Sequence, residues 1–323
     1  MELTTNFPNF LDKTIKKVFT EYSEIAEKSA LYAKWMRMAP TTEYDQSFTS
    51  DEGIDGFAPL EESGGIKDLS RGVGYKNSIS SAEYAGRLTI TKKMRIRSKD
   101  STVKLGELLS KDMSKQIGKA RLHKELRSHA MLNNGFVTTG LTDPGNGIVL
   151  APDTLSLFNA SHAWNSTSET FSNTGTAAFT GAVWDAVLKV GTDITDASGT
   201  PYVSIYDTLV VKQNSETARR MKRLFFGNVV PTSMVVTDAS TNINLYQGTS
   251  ISIVETPYLT SETAWFAYDS KQTNPFFLHD VQKPTVEDRI VRENLDWVYP
   301  VTISYEVACD EMPTAWYGNT GTT

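Results

Sequence analysis

The sequence predicts an α+β protein, and three observations carry that reading. Apolar residues recur at helical spacing from about Ser101 to Asn133, a far longer run than any other in the chain. Apolar and polar residues alternate with period two around 87–97 and again over 301–309. Between those poles, from about 180 to 269, short strand-like and helix-like stretches follow one another as in a compact mixed lobe. The 323 residues exceed what one core of roughly 250–300 residues holds, so two or three packed lobes are expected. With 39% hydrophobic residues and aromatics along most of the length, the chain is expected to fold, and no window reaches the roughly 18 apolar residues of a membrane span.

The elements follow in order. Ile15, Val18, Tyr22 and Ile25 form a helical stripe, and one or two helices are expected over 11–38 until Pro40 stops them. Residues 41–78 turn rich in Gly, Ser and acid yet keep Tyr44, Phe48, Phe57 and Tyr75, which suggests an extended arm rather than a linker. The arm returns through "GRLTITKKMRIRS", where Leu88, Ile90, Met94 and Ile96 alternate with Arg87, Lys93, Arg95 and Arg97, so a strand with one cationic face is expected. An isolated two-stranded ribbon is marginal in water, and a neighbouring subunit is one candidate to cover it. The long helix carries Leu105, Leu109, Met113, Ile117, Leu122 and Leu126, and "NNG" at 133–135 is expected to end it through a left-handed turn. At 1.5 Å per residue it spans on the order of 45 Å. A loop-like stretch to about Phe179 precedes a helix near 180–190, a strand "DTLVVK", a helix "SETARRMKRLFF", the strand-like "SISIVE" and an aromatic run "TAWFAYD". Val301, Ile303, Tyr305, Val307 and Cys309 then predict a half-buried closing strand.

Charge is segregated along the chain. Residues 1–65 hold 12 acidic and 6 basic side chains, while 87–127 hold 13 basic and 4 acidic, within an overall charge of -6. In a protein that meets copies of itself, such blocks offer complementary patches that steer encounter and fix register.

The familiar catalytic patterns are missing from the sequence. There is no GxxxxGK[ST] loop, and "SGGIKDLSRGVG" lacks the spacing that opens a helix onto a pyrophosphate. His123 and His129 lie six apart on a helix, roughly 120° from a common face, and cannot share a metal ion unaided. "DEGIDG" has the acids of a calcium loop without its alternating ligands. His162, in "LFNASHAW", has Ser161 beside it, but no GxSxG elbow exists, so a structural histidine outweighs a catalytic one. Cys309 stands alone, which excludes an internal disulfide and fits a reducing compartment. The basic strand and helix suit non-specific phosphate contact, with no dedicated nucleic-acid reading motif.

The order of these parts carries a resemblance. The N-terminal helix, the acidic arm returning through "GRLTITKKMRIRS", the helix ending "AMLNNGF", "PDTLSLFNASHAWNS", "DASGTPYVSIYDTLVVKQNSETARRMKRLF" and "ISIVETPYL" together resemble the major capsid proteins of tailed bacteriophages. Within them the chain is similar to the Mu-like prophage major head subunit group. The resemblance implies the tailed-phage major capsid protein fold: an N-terminal helical arm (1–40), an extended loop (41–98), a peripheral domain with a long spine helix (99–149), an axial domain (150–275) and C-terminal strands of the peripheral domain (276–323). It further implies a structural protein without catalytic activity, cofactor or metal, which self-assembles as hexamers and pentamers into an icosahedral shell around double-stranded phage DNA. The expected setting is the virion, assembled in the bacterial host cytoplasm. Scaffolding and portal proteins are expected as separate chains, and a decoration protein is left open. Some family members cross-link an extended-loop Lys to an Asn; Lys67 and Lys76 lie in that region, but nothing identifies their partners, and no cross-link is expected.

On this reading the contact between subunits involves Asp51, Glu52, Asp55, Phe57, Leu60, Glu61 and Glu62 on the arm, meeting Lys93, Arg95, Arg97 or the lysines of the long helix on a neighbour. Two rivals stand beside it: an encapsulin-like compartment shell of the same fold, and a hydrolase using His162.

Overall fold

The computed structural model describes residues 3–53, 72–97, 102–139, 147–227, 246 and 249–322. Helix α1 spans Leu3–Lys28. It ends where Glu125, fully buried on a later helix, accepts the backbone N–H groups of Leu31 at 2.7 Å and Tyr32 at 3.2 Å. A single 3₁₀ turn, Tyr32–Lys34, leads into strand β1, Arg37–Pro40, so the expected helix through residue 38 stops ten residues early. Pro40 closes a strand at the sheet edge, where its missing N–H costs no ladder bond. The buried stripe of α1 is Ile15, Phe19 and Ser23; Tyr22 and Ile25, expected in the core, are 44% and 64% exposed.

Strands β2 (Asp45–Thr49) and β3 (Lys76–Ser80) form a two-stranded antiparallel ribbon at the base of the arm. Strand β4 runs Ala82–Ile90 and gives way to a short helix α2, Lys92–Arg97. This corrects the expectation that "GRLTITKKMRIRS" is one strand. Thr91 breaks it: its hydroxyl accepts the Met94 N–H at 3.2 Å, as an N-cap does. Lys93, Arg95 and Arg97 therefore belong to a helix and do not line a cationic strand face.

Helix α3, Thr102–Asn133, matches the predicted long helix. Its C-terminal half buries an unexpected face. Lys124, Glu125, Ser128 and His129 are buried while Leu122 and Leu126 are half-buried. Lys124 Nζ sits 3.0 Å from Asp280 and 3.5 Å from Glu27. His129 Nδ1 lies 2.7 Å from the Glu125 carbonyl, and its Nε2 lies 2.9 Å from the Thr256 hydroxyl. Burial pushes the His129 imidazole down to about 4, so it is neutral at pH 7, and burial pushes the Glu125 carboxyl up. Gly135 follows without a positive φ, contrary to the left-handed turn expected of "NNG". It is required for another reason: a Cβ there would meet the Phe158 ring at 2.7 Å.

Short strands β5 (His162–Ala163), β6 (Thr170–Phe171) and β7 (Thr174–Ala177) precede α4, Gly181–Asp193, which Thr180 caps by accepting from Val183 N–H. Strand β8 (Thr208–Lys212), helix α5 (Glu216–Phe226, capped by Ser215) and strand β9 (Ser252–Thr256) follow, then β10, Trp265–Tyr268. The chain closes with β11 (Phe276–Val286), β12 (Ile290–Val291), β13 (Trp297–Cys309) and β14 (Trp316–Thr322).

Two five-stranded sheets result. In the first, β13 is central, with β4 antiparallel on one edge and β11 and β12 antiparallel on the other, and β1 parallel to β11 beyond. In the second the order is β7-β14-β10-β8-β9. The last strand thus departs from the expected division, because residues 316–322 pair with β10 and β7 instead of closing the first sheet. The second sheet is covered on both faces. Leu209, Val211, Trp265, Ala267 and Tyr317 pack under α4 and α5, while Val210, Phe266, Tyr268 and Trp316 face the central core shared with α3 and the first sheet. Burial of both faces explains why "TLVV" and "WFAY" read as continuous apolar runs. The same holds for β13, where Val298, Ser304 and Ala308 are buried opposite the predicted apolar face, so the strand is buried on both sides.

Candidate functional site

Among the described residues, the ribbon β2–β3 is a pair of strands exposed at most positions. Along it only Phe48 and Ile79 find apolar partners, packing with Ala39, Phe277 and Ala308; the other positions of β2 are exposed. Phe48 meets Phe277 edge-on at 5.4 Å.

Beyond the ribbon the two legs of the arm converge into a neck, residues 50–53 and 72–75. Ser50 N–H donates to the Tyr75 carbonyl and Tyr75 N–H to the Ser50 hydroxyl, each at 2.9 Å. Gly74 permits this approach, since a Cβ would lie 1.9 Å from the Ser50 carbonyl oxygen. Gly53 has φ +91° and faces Asp196 so closely that a Cβ would lie 2.4 Å from its carboxylate. The neck rests on the chain's own body. Tyr75 OH donates to the Ala163 carbonyl at 3.2 Å, Asn165 Nδ2 to the Val73 carbonyl at 2.9 Å, and Asp51 N–H to the Glu311 carboxylate.

Each predicted contact residue can now be placed. Glu52 is corrected: it is 1% exposed, and its carboxylate accepts backbone N–H groups of its own chain at Asn165 and Ser166, so it does not face a neighbour. Asp51 is exposed at the neck. Asp55, Phe57, Leu60, Glu61 and Glu62 lie outside the described residues. Lys93 is exposed on α2; Arg95 and Arg97 follow on the same helix. Lys111, Lys115 and Lys119 are exposed at four-residue steps on α3. Like charges at that spacing cost a few tenths of a kcal/mol in an isolated helix, and an anionic partner relieves them.

His162 is fully buried, with Nδ1 2.7 Å from Asp153 Oδ2 and its ring stacked on Phe171 at 5.1 Å. Its Nε2 has no hydrogen-bond partner among the described residues, so no described hydroxyl or thiol is bonded to it as a nucleophile would be. His123 and His129 serve different partners, Tyr305 and Thr256. Among the described residues no group of three His, Cys, Asp or Glu could hold a metal ion, and no helix is long and apolar enough to cross a membrane. An apolar cavity of about 110 Å³ lies between Leu132, Phe136, Leu259 and Phe266, below the roughly 300–1,000 Å³ of small-molecule sites. Buried Cys309 has its thiol pushed up by desolvation, which makes it a poor nucleophile.

Sequence reasoning named Glu52 as a contact with a neighbour, not as a buried residue of its own subunit, and it missed the neck. The glycines at 53, 72 and 74 read as a glycine-rich arm because their close neighbours, Asp196 for Gly53, Glu52 and Ser166 for Gly72 and Ser50 for Gly74, come together only in the fold.

No protein-family model matches the sequence, and no curated protein matches it either. Solved structures do. The chain is similar to the capsid of an empty GTA particle at TM-score 0.52 and 11% identity, covering 91% of this chain and 90% of that one. It is similar to a virus-like particle from Pyrococcus furiosus at TM-score 0.50 and 8% identity, covering 95% and 98%, and to Mycobacterium phage Adephagia at 0.50 and 12%, covering 90% and 89%. At such low identity the likeness concerns the fold: the chain has the tailed-phage major capsid protein fold over nearly all its length.

Proposed function

We propose that this chain is a major capsid protein, a structural subunit that assembles as hexamers and pentamers into an icosahedral shell around double-stranded phage DNA. The observation that carries the reading is the β2–β3 ribbon at the base of an acidic arm: one face packs through Phe48 and Ile79 on the subunit's own Ala39, Phe277 and Ala308, and the other face is exposed, while exposed lysines recur on α2 and α3. A ribbon of two strands is marginal in water and gains stability when a second surface covers it. The fold supports the reading, since the similar structures include the capsid of a GTA particle. In this assignment the first sheet with α3 as its spine is the peripheral domain, and the second sheet with α4 and α5 is the axial domain. Membership of the Mu-like head subunit group, placement in the virion after assembly in the host cytoplasm, and separate scaffolding and portal partners belong to the same proposal. DNA contact is by charge alone and without sequence preference.

The mechanism is association. Acidic residues of the arm, Asp51, Asp55, Glu61 and Glu62, meet Lys93, Arg95, Arg97 or the α3 lysines of a neighbour and fix register, while Phe57 and Leu60 bury apolar surface. Reversing Glu61 and Glu62 to Lys is expected to abolish closed shells while leaving the thermal midpoint of the subunit unchanged. Normal shells from that variant, seen by negative-stain microscopy, would remove the charge-pairing mechanism.

The likeness to a virus-like particle supports a second reading, a compartment shell of the same fold. The contents of purified particles separate the two: DNA for a capsid, an enzyme cargo for a compartment.

A further inference from the structure

The neck of the arm is built more tightly than a passive connection requires. Glu52 is 1% exposed, and its carboxylate accepts two peptide N–H groups, with no cationic partner among the described residues. Oε1 accepts from Asn165 at 2.5 Å and Oε2 from Ser166 at 3.1 Å, two charge-assisted bonds from successive residues of one turn. The backbone of Glu52 is fastened as well, its carbonyl accepting the Ala197 N–H at 3.2 Å. Asn165 completes the loop by donating its side-chain amide to Val73 on the returning leg. One turn, Asn165–Ser166, therefore grips both legs of the arm. Gly72 leaves room for this, because a Cβ there would press on Glu52 at 3.1 Å and on Ser166 at 3.2 Å.

We infer that Glu52 is the positioning residue of the arm: by clamping the neck to the Asn165–Ser166 turn of its own subunit, it fixes the direction in which the chain leaves the body at Gly53 and re-enters at Gly72, and so the geometry of the shell. This inference rests on the assembly reading above. Its physical basis is that a buried carboxylate cannot leave its two donors without a replacement, so the clamp holds one orientation. An arm pivoting at an unclamped neck would reach neighbours at several angles, and closed symmetric shells need one.

The test uses the full chain, wild type against Glu52→Ala and Glu52→Gln, with two readouts. Amide hydrogen exchange at Asn165 and Ser166 reports the clamp, and electron microscopy reports particle form. In Glu52→Ala, exchange at both amides is expected to rise about tenfold or more, the scale of losing a charged hydrogen bond. The same variant is expected to form open sheets or particles of mixed diameter where the wild type closes uniformly. Glu52→Gln keeps one carbonyl acceptor and is expected to fall between the two, and it carries the test if the alanine variant does not fold. Uniform closed shells from a variant whose amides exchange freely would overturn the positioning role, as would unchanged exchange. Absence of particles from the wild type itself would instead overturn the assembly reading, while the exchange data would still report the clamp.

Discussion

Replacing Lys124 with Met is expected to destabilise the subunit by about 3–5 kcal/mol, the cost of stranding a buried charge. The ammonium is 1% exposed and lies 3.0 Å from Asp280 Oδ1, whose side chain is itself 4% exposed. Glu27, the second partner at 3.5 Å, reaches solvent and can rehydrate when the cation goes; Asp280 cannot. The cation also stands over the Tyr305 ring, 5.6 Å from its centroid. Three elements meet at this charge: α1 through Glu27, α3 through Lys124 and β11 through Asp280. The loss should appear as a lower urea midpoint with an unchanged slope. Adding Asp280→Leu to Lys124→Met should recover most of it, because removing both partners removes the stranded charge. A single variant as stable as the wild type would mean that the pair is solvated and contributes nothing.

Phe158→Ala is expected to cost about 3–5 kcal/mol, through lost burial plus the cavity left behind. Its ring is the pivot of the central core, with Phe136, Phe266 and Phe276 at 5.1, 5.2 and 6.1 Å. Two glycines are shaped to it: a Cβ on Gly135 or on Gly318 would lie 2.7 or 2.4 Å from ring carbons. The ring thus locks the end of α3 against β14 and β10. Gly318→Ala alone should destabilise by overpacking, and Phe158→Leu combined with Gly318→Ala should cost less than the sum of the two. Strict additivity would show that ring and glycine do not contact each other. Since whole domains are stable by about 5–15 kcal/mol, either this change or that at Lys124 removes a large share of the total.

The parts of the fold legible in the sequence are those that local periodicity and caps determine. Helix α3 is expected from about Ser101 and runs from Thr102, and helices α4 and α5 begin at Gly181 and Glu216, where helices are expected, each behind a capping hydroxyl, Thr180 or Ser215. Strands β8 and β10 stood out as short apolar runs because both of their faces are buried. Elements set by distant partners were not legible. Nothing local says that Lys124 and Glu125 point inward while Leu122 and Leu126 lie half-buried, since the reason is carboxylates from α1 and β11 and the peptide groups of Leu31 and Tyr32 just after α1. The turn of "GRLTITKKMRIRS" into a helix depended on one hydroxyl, Thr91, in a pattern otherwise compatible with a strand.

The candidate site divided in the same way. Segregated charge marked the arm as the part that meets another surface, but charge alone could not separate Asp51, exposed at the neck, from Glu52, buried beside it. The distinction comes from the Asn165–Ser166 turn, more than a hundred residues away. The lack of a nucleophile motif around His162 is visible in the sequence; its partner Asp153 and its stacking on Phe171 required the fold.

The central claim is that the subunit completes its structure on identical copies. Electron microscopy of the purified full chain tests it most directly. The account predicts closed shells of uniform diameter, tens of nanometres across, in which the exposed face of each β2–β3 ribbon is covered by a neighbour. A population of monomers at every concentration, with the exposed face of that ribbon left in solvent, would contradict it.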